Sequence, residues 1–233
     1  GSLYKDLANL RKDPELLNDA VRSHHAAIAL NPESAEAFNN LGSAQKDLKL
    51  IDECMKSFKK AILLKPEFAA AHSNLGAVLA EDLNRHDEAI QSFNKAIEIK
   101  SDFVPAHLNL GHTLCKIHEY EDAIYSYMKV INIEPRVDFI LGNLLSTKMN
   151  CCNWEELYEL LEDVKVQIND NKKVIDPFSL FGLIDDPALQ KKSTEIRVSS
   201  IFPRNDSLES INQYPNHSKI RIGYFSADFK IHP

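Results

Sequence analysis

An all-α solenoid of stacked short-helix pairs is the fold class the sequence predicts, and three observations predict it. A 34-residue frame laid from residue 1 collects apolar residues at matching offsets in four successive units, with a degenerate fifth. Within each unit the offsets follow i, i+3, i+4, i+7 on a first helix, and a second stripe follows on a second helix. Asparagines hold one register, at Asn40, Asn74, Asn109 and Asn143, with separations of 34, 35 and 34 residues.

The units justify the prediction in turn. Residues 1–34 carry Tyr4, Leu7, Ala8, Ala20, His24, Ala27 and Pro32. Residues 35–68 carry Phe38, Leu41, Gly42, Cys54, Phe58, Ala61 and Pro66. Residues 69–103 carry His72, Leu75, Gly76, Ala89, Phe93 and Ala96, with one extra residue between Gly76 and Ala89 and Ser101 where the others have proline. Residues 104–137 carry His107, Leu110, Gly111, Ala123, Tyr127, Val130 and Pro135. A degenerate unit, 138–171, keeps Leu141, Leu144, Leu157, Leu161 and Val164. Agreement at several positions at once is the tetratricopeptide pattern. Gly at position 8 and Ala at position 20 let paired helices approach closely, and Pro at position 32 ends the second helix. No unit can bury its stripe alone, so neighbours must stack into one continuous core.

The asparagines stand at position 6 of this frame. That position lies two residues from positions 4 and 8, or about 200° round the helix from each, so its side chain points away from the packed stripe. Position 9, one turn on, holds Ser43, Ala77, His112 and Ser146, which are mostly small. An amide offers both a donor and an acceptor and can pair with a peptide backbone whatever its side chains. Packed helices lie roughly 8–10 Å apart and an extended chain advances about 3.3–3.6 Å per residue. Each asparagine would therefore grip roughly every third residue of a bound peptide. The alternative is a set of solvated surface amides, and the shared register favours binding. The first unit has Asp6 at this position, where the ladder would stop. His72 and His107 fill position 4, an aromatic packing slot. His107 and His112 are five residues apart, a spacing that does not put two zinc ligands on one helical face.

Composition narrows the partners. The 233 residues are 44% apolar, enough for a sizeable core, and carry a net charge of −7. That balance argues against nucleic acid and against an anionic membrane surface. No apolar run approaches a membrane span, and no leader pattern stands at the start. Gly1 and Ser2 read as a cloning remnant. Cys54, Cys115, Cys151 and Cys152 form no disulfide framework and read as reduced thiols of an intracellular, cytoplasmic protein, nuclear as well if the source is eukaryotic. Cys54 takes a position where sister units have alanine, so it reads as a small buried residue. No cofactor or metal is expected for this chain, and self-association is left open.

Beyond residue 171 the period is lost. Asp176-Pro177 and Asp186-Pro187 each suit an N-cap followed by proline at the first helical position, which predicts two short bridging helices within 172–202. Residues 203–218, rich in Pro, Asn and Ser, read as a linker. Residues 219–233 open with the alternating Lys219-Ile-Arg-Ile, a first strand, as though a truncated α/β domain begins there.

Together the asparagine ladder, Asn150-Cys-Cys-Asn-Trp-Glu-Glu, the Asp176-Pro-Phe helix and the closing Ile220-Arg-Ile-Gly-Tyr-Phe-Ser-Ala-Asp-Phe-Lys-Ile-His-Pro resemble the protein O-GlcNAc transferases. In that family tetratricopeptide repeats precede a two-lobed GT-B glycosyltransferase domain. The resemblance implies a parent enzyme that uses UDP-GlcNAc as donor, with related members transferring fucose. It implies that His232 reaches the active-site cleft, as a base toward a Ser or Thr hydroxyl or as a positioning group, and that Asp228 and Phe229 shape its loop. It also implies that Asn40, Asn74, Asn109 and Asn143 guide extended acceptor segments toward that site. The nucleotide-sugar contacts would lie further along, so this chain by itself is expected to be inactive. The rival expectation is a stand-alone tetratricopeptide adaptor. A carboxylate clamp of the co-chaperone kind needs Lys or Arg in the groove, and positions 2, 5 and 6 of the four later units hold none.

Overall fold

The computed structural model describes residues 14–201. Among them run α1 (Pro14–Leu30), α2 (Ala35–Asp47), α3 (Ile51–Leu64), α4 (Ala69–Glu81), α5 (His86–Ile99), α6 (Val104–Lys116), α7 (Tyr120–Ile133), α8 (Ile140–Asn150), α9 (Leu157–Asn169), α10 (Pro177–Phe181) and α11 (Pro187–Ile201), with no strand among the described residues. The all-α repeat solenoid holds. The expected strand, the linker, His232, Asp228, Phe229 and the first-unit residues Tyr4, Asp6, Leu7 and Ala8 lie outside the described residues. No described helix is long and apolar enough to cross a membrane.

The second-helix stripe is the centre of the core. Cys54, Phe58, Ala61, Ala89, Phe93, Ala96, Ala123, Tyr127 and Val130 are each at most 2% exposed. Such complete burial in three successive units is why the period is so legible. The aromatic ring at position 24 seats on the glycine at position 8: a Cβ on Gly42, Gly76 or Gly111 would lie 2.8, 2.7 or 2.6 Å from Phe58, Phe93 or Tyr127. The close approach therefore belongs to a ring over a bare backbone as much as to the alanine at position 20. Burial pushes the Cys54 thiol up to about 11, with Asp82 adding to the shift, so it stays protonated.

Turns within units share one device. Lys49, Asn84, His118 and Cys152 each take a left-handed φ, between 52° and 66°. The following N–H folds back on the helix, as in Leu50 to Gln45 O and Glu119 to Leu114 O, both 2.9 Å. The extra residue of the third unit sits in the α4–α5 turn, where four residues replace three. Turns between units need no proline: Lys100 before Ser101 keeps the extended backbone of Lys65 before Pro66. The histidines at position 4 tie neighbouring units together. Each donates from Nε2 at 2.9 Å to the preceding turn, His72 to Pro66 O and His107 to Ser101 O.

The last unit departs from the pattern. Its two helices, α8 and α9, touch far less than the earlier pairs do, and α9 packs instead on α11. The 173–175 strip fills the space beside α8. Lys173 O and Val174 O accept from Phe139 N and Gly142 N at 2.7 and 3.0 Å, satisfying donors that a helix N-terminus otherwise leaves open. Asp176 caps α10 by accepting from Phe178 N, and Asp186 accepts from Ala188 N and Leu189 N. The second bridging helix, α11, is longer than expected, at 15 residues.

Candidate functional site

First helices touch from unit to unit, α2 on α4 and α4 on α6, which makes them the inner, concave wall of the curve. Asn40, Asn74, Asn109 and Asn143 all sit on that wall, one per helix, and all are half-buried. The common register is real, but the four amides are not equivalent. Asn40 and Asn109 have no side-chain hydrogen bond among the described residues. Asn74 donates from Nδ2 to Asn39 Oδ1 at 2.9 Å, and Asn39 is itself buried. Asn143 donates from Nδ2 to His112 Nε2 at 3.0 Å.

Asn39 is a site residue that sequence reasoning missed. The Asn39-Asn40 doublet was its only signal, because position 5 holds Ser73, Leu108 and Gly142 in the other units. Its bond to Asn74 joins two units across the wall and leaves the Asn74 carbonyl oxygen and one N–H for a ligand. The doublet thus places a structural amide beside a free one.

His112 is the second addition. Its ring meets Tyr127 edge-on, with centroids 5.6 Å apart. Tyr127 OH lies 3.7 Å from Cys115 Sγ, which lies 3.1 Å from Thr147 Oγ1. Thr147 in turn donates at 2.7 Å to Asn143 O. Because that bond spends the Thr147 proton, the Cys115 thiol is the donor to Thr147. This ring of contacts holds the fourth rung from both its amide and its backbone. Among the other position-9 residues, Ala77 is buried and Ser146 donates to Ser179 at 3.3 Å, which seats α10 at the end of the wall. Phe178 and Phe181 of α10 are exposed.

Charges at the rim are mostly paired: Lys46 with Glu81 at 2.7 Å and Lys49 with Asp82 at 3.3 Å, each linking adjacent units. Pairs with at least one solvent-exposed partner, as here, contribute about 0–1 kcal/mol each and fix position more than they stabilise. Their effect is to tie adjacent units together beside the amide-lined wall.

His112 keeps exposed surface, yet the protein atoms packed round its ring desolvate it enough to hold its pKa below the ordinary 6.5; Glu81 opposes that shift and Lys116 adds to it. An asparagine Nδ2 can only donate, so the ring accepts as neutral imidazole. The unfolded chain takes up a proton near 6.5, whereas the folded chain takes it up only at lower pH. The stability contribution is therefore complete above that value and declines as pH falls toward the folded pKa. An NMR titration of the His112 ring is expected to give a midpoint below 6.5, with the Asn143 side-chain amide resonances shifting in the same transition. A midpoint at or above 6.5 would contradict this geometry.

Two segments match family models: residues 35–68 match the tetratricopeptide repeat and residues 81–117 a TPR repeat. No curated protein matches the chain. Among solved structures, MamA aligns with 22% identity and a TM-score of 0.56, over 67% of this chain and 90% of that one. The MamA 41-end fragment from Desulfovibrio magneticus RS-1 aligns with 18% identity and a TM-score of 0.56, over 70% and 91%. YrrB, described as a TPR protein with an unusual peptide-binding site, aligns with 20% identity and a TM-score of 0.52, over 82% and 90%. At these identities the likeness establishes a shared fold, the tetratricopeptide solenoid.

Proposed function

We propose that this chain is a polypeptide-binding tetratricopeptide module that holds an extended segment by its backbone along the concave wall. The observation that carries the proposal is the unspent hydrogen-bonding capacity of Asn40 and Asn109, half-buried on the concave wall at one rung per helix. A half-buried amide with no protein partner is placed to exchange water for a ligand's peptide group at little desolvation cost. The described peptide-binding site of YrrB, on the same fold, supports the same class of ligand.

Four rungs at roughly three residues each span about 12 residues of extended peptide. Fluorescence anisotropy with labelled peptides of that length, with and without backbone N-methylation, tests the idea. Side-chain replacements in the peptide are expected to matter little, and N-methylation to abolish binding. The Asn40→Ala/Asn109→Ala protein is expected to bind about tenfold or more weakly, at an unchanged melting temperature, because both residues are unpaired within the fold. Unaltered affinity in that variant would remove the asparagines from the site.

A second reading places this module in a nucleotide-sugar:protein O-glycosyltransferase, delivering Ser/Thr acceptor segments to a catalytic domain. It rests on the sequence of residues 219–233, with its Gly-Tyr-Phe-Ser-Ala-Asp-Phe and His232. The stand-alone adaptor needs nothing beyond the concave wall and is the simpler of the two. Incubating the full-length protein with UDP-GlcNAc or GDP-fucose and the bound peptides decides between them. Sugar transfer that is lost in His232→Ala supports the enzyme, and no transfer with either donor leaves the adaptor.

A further inference from the structure

Away from the asparagine wall, the α7–α8 turn, the 171–174 loop and α11 enclose two adjoining hollows. The first, about 430 Å³, is lined by Arg136, Asp138, Lys172 and Lys173 with Pro135 and Val137. The second, about 630 Å³, is lined by Lys173, Lys191, Lys192 and Glu195 with Ala188 and Ile196. Asn171 and Lys173 border both, so they form one groove. Its shape is fixed by the backbone bonds from Phe139 and Gly142 to Lys173 O and Val174 O, which strap the lysine-bearing loop across the first turn of α8.

The groove reverses the sign of the molecule. A chain of net charge −7 lines it with Arg136, Lys172, Lys173, Lys191 and Lys192 against Asp138 and Glu195. Compensation within the fold is incomplete. Lys173 is paired with Asp138 at 3.1 Å and Lys172 with Asp170 at 3.5 Å, while Lys191 meets Glu195 only at 3.9 Å. Lys192 donates at 2.7 Å to a neutral carbonyl, Asn169 O, so its charge has no counter-ion there. Arg136 is exposed, with no partner among the described residues.

We infer that this groove docks an acidic segment of a partner polypeptide, one that intersperses Asp or Glu with apolar residues. Its carboxylates would meet Arg136, Lys191 and Lys192, and its apolar side chains would lie on Pro135, Val137 and Ile196. Charge complementarity selects the acid, and the apolar floor selects a polypeptide over a bare polyanion. A nucleic acid would extend past the groove onto a surface whose net charge repels it.

The experiment measures anisotropy of a labelled peptide alternating Glu and Leu on the full chain carrying Asn40→Ala/Asn109→Ala, in which the concave wall no longer competes for peptide backbone. The peptide's Lys-for-Glu counterpart, a labelled single-stranded oligonucleotide and an inositol polyphosphate serve as rivals. The acidic peptide is expected to bind, to weaken as salt is raised, and to lose about tenfold or more in affinity on Arg136→Glu/Lys191→Glu. With the asparagine rungs removed, the binding that persists belongs to the groove, which separates it from the concave wall. Both reversed residues are exposed, and circular dichroism checks the fold; if the double variant loses helicity, Lys191→Glu alone carries the test. Equal binding of the acidic and basic peptides, indifference to charge reversal, or stronger binding of the oligonucleotide or the polyphosphate would overturn the inference.

Discussion

Gly76→Leu is expected to be among the most destabilising single changes in this chain. A Cβ at residue 76 would lie 2.7 Å from Phe93 Cε1 and 3.1 Å from the backbone oxygen of Ala89, before any of the remaining leucine atoms are placed. Phe93 is fully buried and cannot swing aside, and Ala89 O belongs to the helix itself. Overpacking of this kind costs about 1–3 kcal/mol and sometimes more, and leucine adds several atoms beyond the first clash, so a loss of about 3 kcal/mol or more is expected. For a chain of this size that lowers the melting temperature by roughly 6–12 °C. Chemical denaturation of Gly76→Leu, Phe93→Ala and the double variant measures it. The double variant should lose clearly less than the sum of the singles, because removing the ring vacates the space the leucine needs. Simple additivity would show that glycine and ring do not share that space.

Gly142→Val should act just as strongly but locally. There the obstacle is backbone: a Cβ would sit 2.8 Å from Ile175 Cα and 2.9 Å from Ile175 Cγ1. Main chain cannot take another rotamer, so the 173–175 strip must leave α8, and the bonds from Phe139 N and Gly142 N to Lys173 O and Val174 O go with it. A cost of about 2–4 kcal/mol follows from the clash and the two lost bonds together. Repeat arrays couple mainly to nearest neighbours. Hydrogen exchange should therefore rise across residues 171–201 and α9 while α2–α7 keep their protection. Uniform loss of protection along the whole chain would contradict a separable C-terminal cap. The basic groove shares this strap, so acidic-peptide binding should fall in the same variant while concave-wall binding at Asn40 and Asn109 persists.

The contrast between these two glycines shows where sequence reading worked and where it stopped. Gly76 was legible because its partner, Phe93, repeats at the same offset as Phe58 opposite Gly42 and Tyr127 opposite Gly111. Gly142 stands at position 5, where no period applies, and its partner lies 33 residues on in a segment that has left the repeat. The asparagines show the same divide within one motif. Their register could be read from spacing alone. Which of them are free could not, because Asn74 is engaged by Asn39 and Asn143 by His112, across neighbouring units. Lys148 is a further case: it is 4% exposed at the end of α8, and it donates to Asn153 Oδ1 and Glu155 O to close the α8–α9 turn. A lysine in a linear sequence gives no sign of such burial.

By itself the sequence determined the helix pairs, their stripes and the face on which the asparagines stand. Those features follow from helical periodicity and from burial repeated at one spacing, both of which a linear pattern records. Only the tertiary structure decided which amides remain available, which ring fills which glycine, and how the lysines of the 171–174 loop and α11 gather beside Arg136. Each of these depends on distances between units, set by how packed helices lie against one another, and no single repeat contains them.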